Sequence, residues 1–270
     1  MGFFDRLADR IDAADSVVSV GLDPDPDRLP ESVRDADLPR WAFNRRVIDA
    51  THEHAACYKP NAAFYEDADG WRALAETVAY AHGKGVPVLL DAKRGDVGNT
   101  ARRYASVLDG RLGGQAVDAV TVNPYLGRDS LQPFLERTDA GVFVLCRTSN
   151  PGGADFQDLE VGDGRRVFEV VADRAAAWND AGNVGLVVGA TAPDELAAVR
   201  ERVPEVPFLV PGVGAQGGDA AAAVEHGLAD GVGLVNSSRG IIFAGEDGRD
   251  FFGAAGEAAK RLKRRLNDYR

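Results

Sequence analysis

Short apolar runs alternate with helix-like stretches along the whole chain. Eight runs rich in valine and leucine have the length of strands and stay apolar at successive positions, which is typical of strands buried on both faces of a parallel sheet. They cover residues 17–22, 56–59, 87–91, 119–123, 141–146, 184–188, 207–210 and 233–236. Helical spacing predicts helices at 38–54, 70–83, 100–108, 130–136, 166–181, 193–202 and 219–227, and a basic amphipathic one at 250–268. Eight such units in about 250 residues predict an α/β fold, a (β/α)8 TIM barrel, with residues 1–270 forming a single domain.

A doubly wound sheet is the alternative fold, but it seldom contains eight regular units. The Gly-x-Gly-x-x-Gly match at 212–217 follows the seventh predicted strand rather than the first. The next strand ends in Asn236, not in the acidic residue that binds a dinucleotide ribose. Two segments, 23–37 and 147–165, interrupt the alternation. In a barrel both lie on the face formed by the carboxyl ends of the strands, and the second is a candidate lid.

Charged side chains begin where the third predicted strand ends. Asp91 and Lys93 are two residues apart, so in extended chain they leave the strand on the same side, and Asp96 follows in the turn. Lys59 ends the second strand in the same way. Buried charges at a strand end cost several kcal/mol of desolvation unless they are paired. This cluster therefore predicts chemistry on a substrate.

The remaining strand ends add polar groups to the same face. Asp23 follows the first strand, Ser149 the fifth, and the segments 212–218 and 236–240 follow the seventh and eighth. Loops after strands seven and eight are the usual phosphate site of such barrels. Glycines let backbone amides approach an anion, and Gln216 and Arg239 suit the same role. We expect this face to recognise a phosphate.

Each of these residues also has a purely structural interpretation. Asp96 could cap the helix that follows, and Asp23 could cap a turn. Arg239 could pair with an acidic neighbour, and Ser149 lies in an ordinary turn sequence, Ser-Asn-Pro-Gly. The convergence of all of them on one face carries the functional interpretation.

Composition narrows the class of protein. The formal net charge of −11 argues against a nucleic-acid partner. Arginine supplies 26 of the 31 basic residues, and with the acidic balance this indicates either a salt-adapted, archaeal-like composition or a GC-rich source. No apolar stretch approaches the roughly 20 residues of a membrane span. The N-terminus lacks the features of a signal peptide, and two cysteines and four histidines are not spaced as metal ligands. We expect a cytoplasmic protein with no membrane partner and no metal.

Five motifs, in this order, resemble the orotidine 5′-phosphate decarboxylase family. They are Gly21-Leu-Asp-Pro24, Tyr58-Lys-Pro60, Asp91-Ala-Lys-Arg-Gly-Asp-Val-Gly-Asn-Thr100, Pro211-Gly-Val-Gly-Ala-Gln216 and Asn236-Ser-Ser-Arg-Gly240, within residues 15–245. The Asp-x-Lys-x-x-Asp core is shared with sugar-phosphate enzymes of the same barrel superfamily, whereas Val-Gly-Asn-Thr after it is typical of the orotidylate enzyme. The Asp-Ala-Lys-Arg-Gly-Asp phrase and the long loop after strand five resemble the second, larger subfamily.

This resemblance implies a carbon–carbon lyase that converts orotidine 5′-phosphate to uridine 5′-phosphate and CO2 in de novo pyrimidine biosynthesis, without a cofactor. It implies that Lys93, Asp91, Asp96 and Lys59 are catalytic and that Lys93 protonates the C6 carbanion. By the same resemblance Asp23 and Lys59 hold ribose hydroxyls, Ser149 the pyrimidine, and Gln216 with Arg239 the phosphate. Asp96 and Thr100 then reach the neighbouring subunit's site, which implies a homodimer with shared active sites.

Three other functions stay open at this point. A Mg²⁺-dependent sugar-phosphate lyase or synthase uses the same carboxylate core, and we keep it as the alternative. A Schiff-base aldolase would use Lys59 or Lys93 as its nucleophile. A barrel retained only as a scaffold has no reason to keep buried charges.

Overall fold

The computed structural model describes residues 1–162, 164–213, 217–246 and 250–270. Within these residues, eight parallel strands form one sheet in the order β2-β1-β8-β7-β6-β5-β4-β3. They are β1 (Val18–Leu22), β2 (Cys57–Pro60), β3 (Leu89–Arg94), β4 (Ala119–Val122), β5 (Gly141–Arg147), β6 (Val184–Val188), β7 (Phe208–Pro211) and β8 (Leu234–Ser237). Isolated parallel bridges from Tyr58 to Val88 and from Asn61 to Asp91 join the two edges of the sheet. The fold is a (β/α)8 barrel, as predicted.

Helices surround this sheet. They are α1 (Phe3–Ala14), α2 (Glu31–Arg34), α3 (Pro39–Thr51), α4 (Ala68–Gly83), α5 (Gly98–Ala105), α6 (Arg128–Leu135), α7 (Ala154–Gln157), α8 (Val167–Ala177), α9 (Pro193–Arg202), α10 (Ala220–Glu225), α11 (Arg239–Ile242) and α12 (Phe251–Asn267). Side-chain caps fix several of their starts; the Asp67 carboxylate, for example, accepts a hydrogen bond of 2.6 Å from the Gly70 amide at α4. Within the described residues, no helix is both long and apolar enough to cross a membrane.

Most predicted strands and helices agree with the structure to within two or three residues. The main difference is β3, predicted at 87–91 and observed at Leu89–Arg94, so that Lys93 lies on the strand rather than after it. Its pairing with β4 shifts register between Leu90 and Arg94. Because of this irregularity the strand continues beyond its apolar residues. The predicted end of the strand had been placed where the apolar residues stop.

Helix α1 was not among the predicted elements. Its buried side chains recur at helical spacing, at Phe3, Leu7, Ile11 and Ala14. Phe3 packs so closely against β5 that a Cβ on Gly141 would lie 2.4 Å from its ring. The helix thus covers the amino-terminal end of β5, and the opposite end of the barrel is left for the polar strand ends.

Candidate active site

A charged cluster lies at the carboxyl ends of β2 and β3. The Lys59 ammonium donates to Asp91 Oδ2 at 3.0 Å, and the Lys93 ammonium donates to Asp91 Oδ1 at 2.6 Å. The Lys59 side chain is 6% exposed and that of Asp91 12%, whereas that of Lys93 is 48% exposed. One carboxylate is therefore held between two ammonium groups, and of the two lysine side chains only that of Lys93 is substantially exposed.

Thr121 of β4 links the Asp91 side chain to the Lys93 backbone. Its hydroxyl donates to Asp91 Oδ1 at 2.8 Å and accepts from the Lys93 amide at 2.9 Å. Lys93 has a φ of +50°, a left-handed conformation that is uncommon for residues other than glycine. Strained backbone of this kind concentrates at functional sites, where the surrounding structure holds it in place. The Thr121 hydrogen bonds supply that support here.

Electrostatics keeps the cluster ionised. Burial raises the pKa of Asp91, but the Lys59 and Lys93 ammonium groups more than offset this effect, so the pKa lies well below the usual range of an aspartate. Burial lowers the pKa of Lys59, and the carboxylates of Asp91 and Asp23 reverse this, leaving the pKa above its ordinary value. Asp91 and Lys59 therefore both stay charged at neutral pH.

A cavity of about 140 Å³ lies at the ends of the neighbouring strands. Asp23, Ser149 and Arg239 line it, together with Asn236 and Ser237 from β8. Asp23 Oδ1 is buried and accepts no hydrogen bond from any described residue. Such an oxygen is costly to leave unpaired, so it indicates a position where a donor from a ligand belongs. Asp23 follows β1 and Lys59 lies on β2, which pairs with β1, so the cavity lies beside the charged cluster on the same face of the barrel.

The structure describes one of the two residues predicted to bind the phosphate, Arg239. Gln216 lies outside the described residues. Arg239 begins α11 and is exposed. It forms no ion pair with a carboxylate of the described residues, so the structure does not support the interpretation that this arginine only pairs with an acidic neighbour. Gly212 has a φ of +104°, a conformation that favours glycine at this turn. These features leave the Arg239 guanidinium available to an anion at the cavity.

Asp96 and Thr100 stand apart from the cluster in this chain. Asp96 Oδ1 accepts from the Val97 amide at 2.7 Å, and Val97 rather than Asp96 is the N-cap of α5. Thr100 is exposed in the first turn of this helix. Neither residue hydrogen-bonds to the charged cluster within the described part of the chain. The interpretation of Asp96 as the cap of this helix is not supported, because Val97 holds that position.

Two contributors were missed by sequence reasoning. Thr121 carries the one hydroxyl group in the otherwise apolar strand β4. That polar position was the sequence signal by which the residue could have been found. Arg147 ends β5 and anchors the segment that carries Ser149, through a carboxylate, Glu195, 48 residues further along the chain. A contact over that distance has no local signature. Within the described ranges, no group of three or more His, Cys, Asp or Glu side chains is arranged to hold a metal ion.

Comparison with known proteins gives the family. The model of the orotidine 5′-phosphate decarboxylase / HUMPS family matches residues 16–250. The chain belongs to this family. It is 74% identical over its whole length to the orotidine 5′-phosphate decarboxylase of Haloarcula marismortui and 73% identical to that of Halorubrum lacusprofundi, each relative also covered in full. These relatives come from halophilic archaea, in agreement with the acidic, lysine-poor composition.

A solved structure agrees with this family assignment. That of Leishmania donovani OMP decarboxylase superposes with a TM-score of 0.81 at 45% identity, covering 98% of this chain and 99% of the other. All three relatives carry the decarboxylase name rather than that of a sugar-phosphate enzyme. The Mg²⁺-dependent alternative is therefore not favoured.

Proposed function

We propose that this chain removes CO2 from orotidine 5′-phosphate and releases uridine 5′-phosphate, with Lys93 as the proton donor. One observation carries the proposal: a buried Asp91 is held between the Lys59 and Lys93 ammonium groups at the carboxyl ends of barrel strands. Family membership supports the choice of substrate, since relatives at 74% identity bear this name.

The chemistry requires a positive charge near C6 of the pyrimidine. Loss of CO2 breaks the bond between C6 and the carboxylate carbon and leaves the electron pair on C6. That pair lies in the plane of the ring, where the π system does not delocalise it. The Lys93 ammonium stabilises the developing charge and then transfers one proton to C6. Lys93 regains a proton from solvent, so each turnover consumes one proton and releases one CO2.

Asp91 and Lys59 prepare Lys93 for this role. The low pKa of Asp91 keeps its carboxylate ionised, and its 2.6 Å contact holds the Lys93 ammonium in place. Lys59 occupies the other carboxylate oxygen, so Asp91 does not swing away from Lys93. Lys59 and the free Oδ1 of Asp23 bind ribose hydroxyls. A carboxylate flanked by two ammonium groups is a poor ligand for Mg²⁺, which also disfavours the metal-dependent alternative.

The cavity next to the cluster binds the rest of the nucleotide. Ser149 faces the pyrimidine, and Arg239 with Gln216 binds the phosphate. Arginine suits this task because its planar fork matches two phosphate oxygens at once. The phosphate lies far from the reacting carbon, so its binding energy orients the substrate without taking part in bond breaking.

The active unit is a homodimer in which Asp96 and Thr100 complete the partner's site. Three large apolar side chains that follow the paired strands β3 and β4 are exposed: Val97 at 56%, Tyr125 at 85% and Leu126 at 50%. Exposed apolar side chains grouped in this way are typical of a protein interface. In a twofold dimer each chain gives the same patch to the other, so both sites receive an Asp96.

The substrate is a nucleotide of central metabolism, and both cysteines, Cys57 and Cys146, are buried and free. A chain of this kind fits the reducing environment of the cytoplasm, which we take as its location.

The proposal is tested by following the ultraviolet absorbance of orotidine 5′-phosphate in high salt, with and without EDTA. Equal turnover in both conditions is the expected result. Turnover abolished by EDTA would favour the sugar-phosphate alternative. Trapping of a substrate adduct by borohydride would favour the Schiff-base aldolase. Absence of both turnover and nucleotide binding would overturn the proposal in favour of a scaffold.

The shared site is tested by mixing two inactive variants, Lys93→Ala and Asp96→Ala. A mixed dimer has one site in which both substitutions meet and one site in which both residues are intact. Random pairing of equal amounts should restore roughly a quarter of the wild-type activity. No recovery after subunit exchange, verified by mass spectrometry of the intact dimers, would contradict the shared site.

A further inference from the structure

The segment 148–162 follows β5 and carries Ser149 into the cavity. It contains a 3-10 turn at Pro151–Gly153, helix α7 and the strand Glu160–Val161, which pairs with Arg165–Arg166. Phe156 and Leu159 are 67% and 52% exposed, so few apolar contacts hold the segment on the barrel. Polar contacts have to position it.

Arg147, the last residue of β5, supplies most of these contacts. Its side chain is only 12% exposed. The guanidinium donates from Nη1 to the Thr148 carbonyl at 3.0 Å and to Gln157 Oε1 at 3.2 Å, and from Nη2 to Asp158 Oδ2 at 3.4 Å. A Cβ on Gly153 would lie 2.8 Å from Nη1, so a glycine at this position lets the guanidinium in. One side chain thus contacts both the start and the middle of the segment.

Glu195 of α9 anchors the guanidinium from the other side. Its Oε2 accepts from Arg147 Nε at 2.5 Å, and its Oε1 accepts from Arg166 at 3.3 Å. Arg166 precedes α8, beyond the far end of the segment. One carboxylate on a rigid helix therefore fixes the chain on both sides of segment 148–162.

Ser149 is held by this anchoring on one side, and on the other the Thr191 hydroxyl donates to its carbonyl at 3.3 Å. Gln157 accepts from the Thr148 amide at 2.9 Å and donates to the Thr148 hydroxyl at 2.8 Å, which fixes the residue before Ser149. The backbone of Ser149 lies against Gly189, where a Cβ would come within 2.9 Å of it. A displacement of Thr148 would therefore move Ser149, which lines the cavity.

We propose that Arg147 is a positioning residue for substrate binding: with Glu195 and Gln157 it clamps segment 148–162 so that Ser149 faces the nucleotide. This inference rests on the proposed function, because it assigns the clamp to the same cavity. Arg147 itself contacts the segment and not the site, so it acts through Ser149.

The test compares Arg147→Gln with the control Arg137→Gln. Arg137 is a matched arginine in a remote pair with Asp109, from Nη2 to Oδ2 at 2.5 Å. Because a misplacement of about 1 Å can cost on the order of 100-fold in efficiency, we expect Arg147→Gln to raise KM tenfold or more and to change kcat by less. Arg137→Gln should leave both unchanged. Equal KM for wild type and Arg147→Gln, or equal effects of the two variants, would overturn the proposal.

A second measurement does not depend on activity. Chymotrypsin cleavage after Phe156 requires the segment to leave the barrel, so it should be faster in Arg147→Gln than in wild type and in Arg137→Gln. Arg147→Lys keeps the positive charge but not the planar fork of the guanidinium, so its cleavage rate should lie between those of wild type and Arg147→Gln. Unchanged cleavage in Arg147→Gln would contradict the clamp. Wild-type protein inactive on orotidine 5′-phosphate would contradict the proposed function instead, and the cleavage result would still decide the clamp.

If Arg147→Gln does not fold, Glu195→Gln tests the same clamp. It removes the charge that anchors the guanidinium and leaves Arg147 its three contacts within the segment. Like Arg147→Gln, it should raise KM and make chymotrypsin cleavage faster. Unchanged values for both would overturn the proposal.

Discussion

Two buried aspartates near neighbouring strands have opposite surroundings. Asp91 lies on β3 at the carboxyl-terminal face, and Asp118 lies just before β4 at the amino-terminal face. Their side chains are 12% and 17% exposed. Each accepts three hydrogen bonds, so burial and hydrogen-bond number do not distinguish them.

The kind of partner does distinguish them. Asp118 is bound by the Val88 amide at 2.8 Å, by His82 at 2.7 Å and by Arg6 at 3.2 Å, so it ties α1, α4 and the start of β3 together. Asp91 instead holds the ammonium groups of two lysines, and the side chain of one of them, Lys93, is half exposed. The partners of Asp118 connect elements of the fold and so stabilise it, whereas Lys93, a partner of Asp91, is exposed enough to contact a ligand. The two ends of a barrel divide in this way in general.

The largest expected effect comes from Lys93→Ala. Removing the group that stabilises and protonates the carbanion should lower kcat by about 10⁴-fold or more. The unfolding midpoint should change little, because Asp91 keeps Lys59 and Thr121 as partners. The measurement is the absorbance assay, with thermal unfolding recorded in parallel.

Lys84→Ala is the control for Lys93→Ala. Lys84 pairs with Asp49 at 3.0 Å on the surface, away from the charged cluster. Its loss should leave kcat unchanged. Near-normal turnover in Lys93→Ala would remove this residue from the mechanism.

The second prediction exchanges the two aspartates for asparagine. Asp91→Asn leaves the buried Lys59 ammonium without its ion pair, which should lower the free energy of unfolding by about 3–5 kcal/mol and abolish most activity. Asp118→Asn should cost about 1.5–3 kcal/mol, because Arg6 and His82 are partly exposed and regain water. Urea unfolding and kcat/KM measure the two effects. A fall in kcat/KM in Asp118→Asn equal to that in Asp91→Asn would contradict the division between the faces.

The same pair of residues indicates how much the sequence could predict. Asp91 was recognised because it ends an apolar strand two residues from a lysine, and strand ends meet at one face of a barrel. Asp118 also adjoins a strand, but its partners lie 30, 36 and 112 residues away. Its role depends on which helices pack at the amino-terminal face, and no local pattern contains that information.

The contacts that Thr121 and Arg147 make could not be predicted for a related reason. The contact between Thr121 and Asp91 depends on the irregular register between β3 and β4, which no strand sequence specifies by itself. The alternation of elements, by contrast, is a local property, so the barrel and most element bounds were predictable. Sequence reasoning therefore placed the charged cluster at the carboxyl ends of the strands and missed two residues: Thr121, which hydrogen-bonds to Asp91, and Arg147, which anchors the segment after β5.

The third prediction concerns acid. Burial raises the pKa of Asp118, but His82 and the Val88 amide more than offset this and lower it. An aspartate with a lowered pKa contributes stability that is complete above the unfolded value of about 3.9 and is lost as the pH falls through the folded value. The difference in unfolding free energy between wild type and Asp118→Asn should therefore shrink from pH 6 toward pH 3. Urea unfolding at each pH measures it, and a constant difference would contradict the role of the charge.

The smallest effect is expected for Arg6→Gln. The Arg6 guanidinium side chain is 33% exposed, and its 3.2 Å contact with Asp118 is the longest of the three. A partly exposed pair of this kind contributes about 0.2–1 kcal/mol, and less in high salt. Because His82 and the Val88 amide still hold the carboxylate, Arg6→Gln should retain the acid-dependent stability that Asp118→Asn loses. Urea unfolding at low and high salt decides this. A loss as large as that of Asp118→Asn would mean that the guanidinium, rather than the amide and the imidazole, holds the amino-terminal face together.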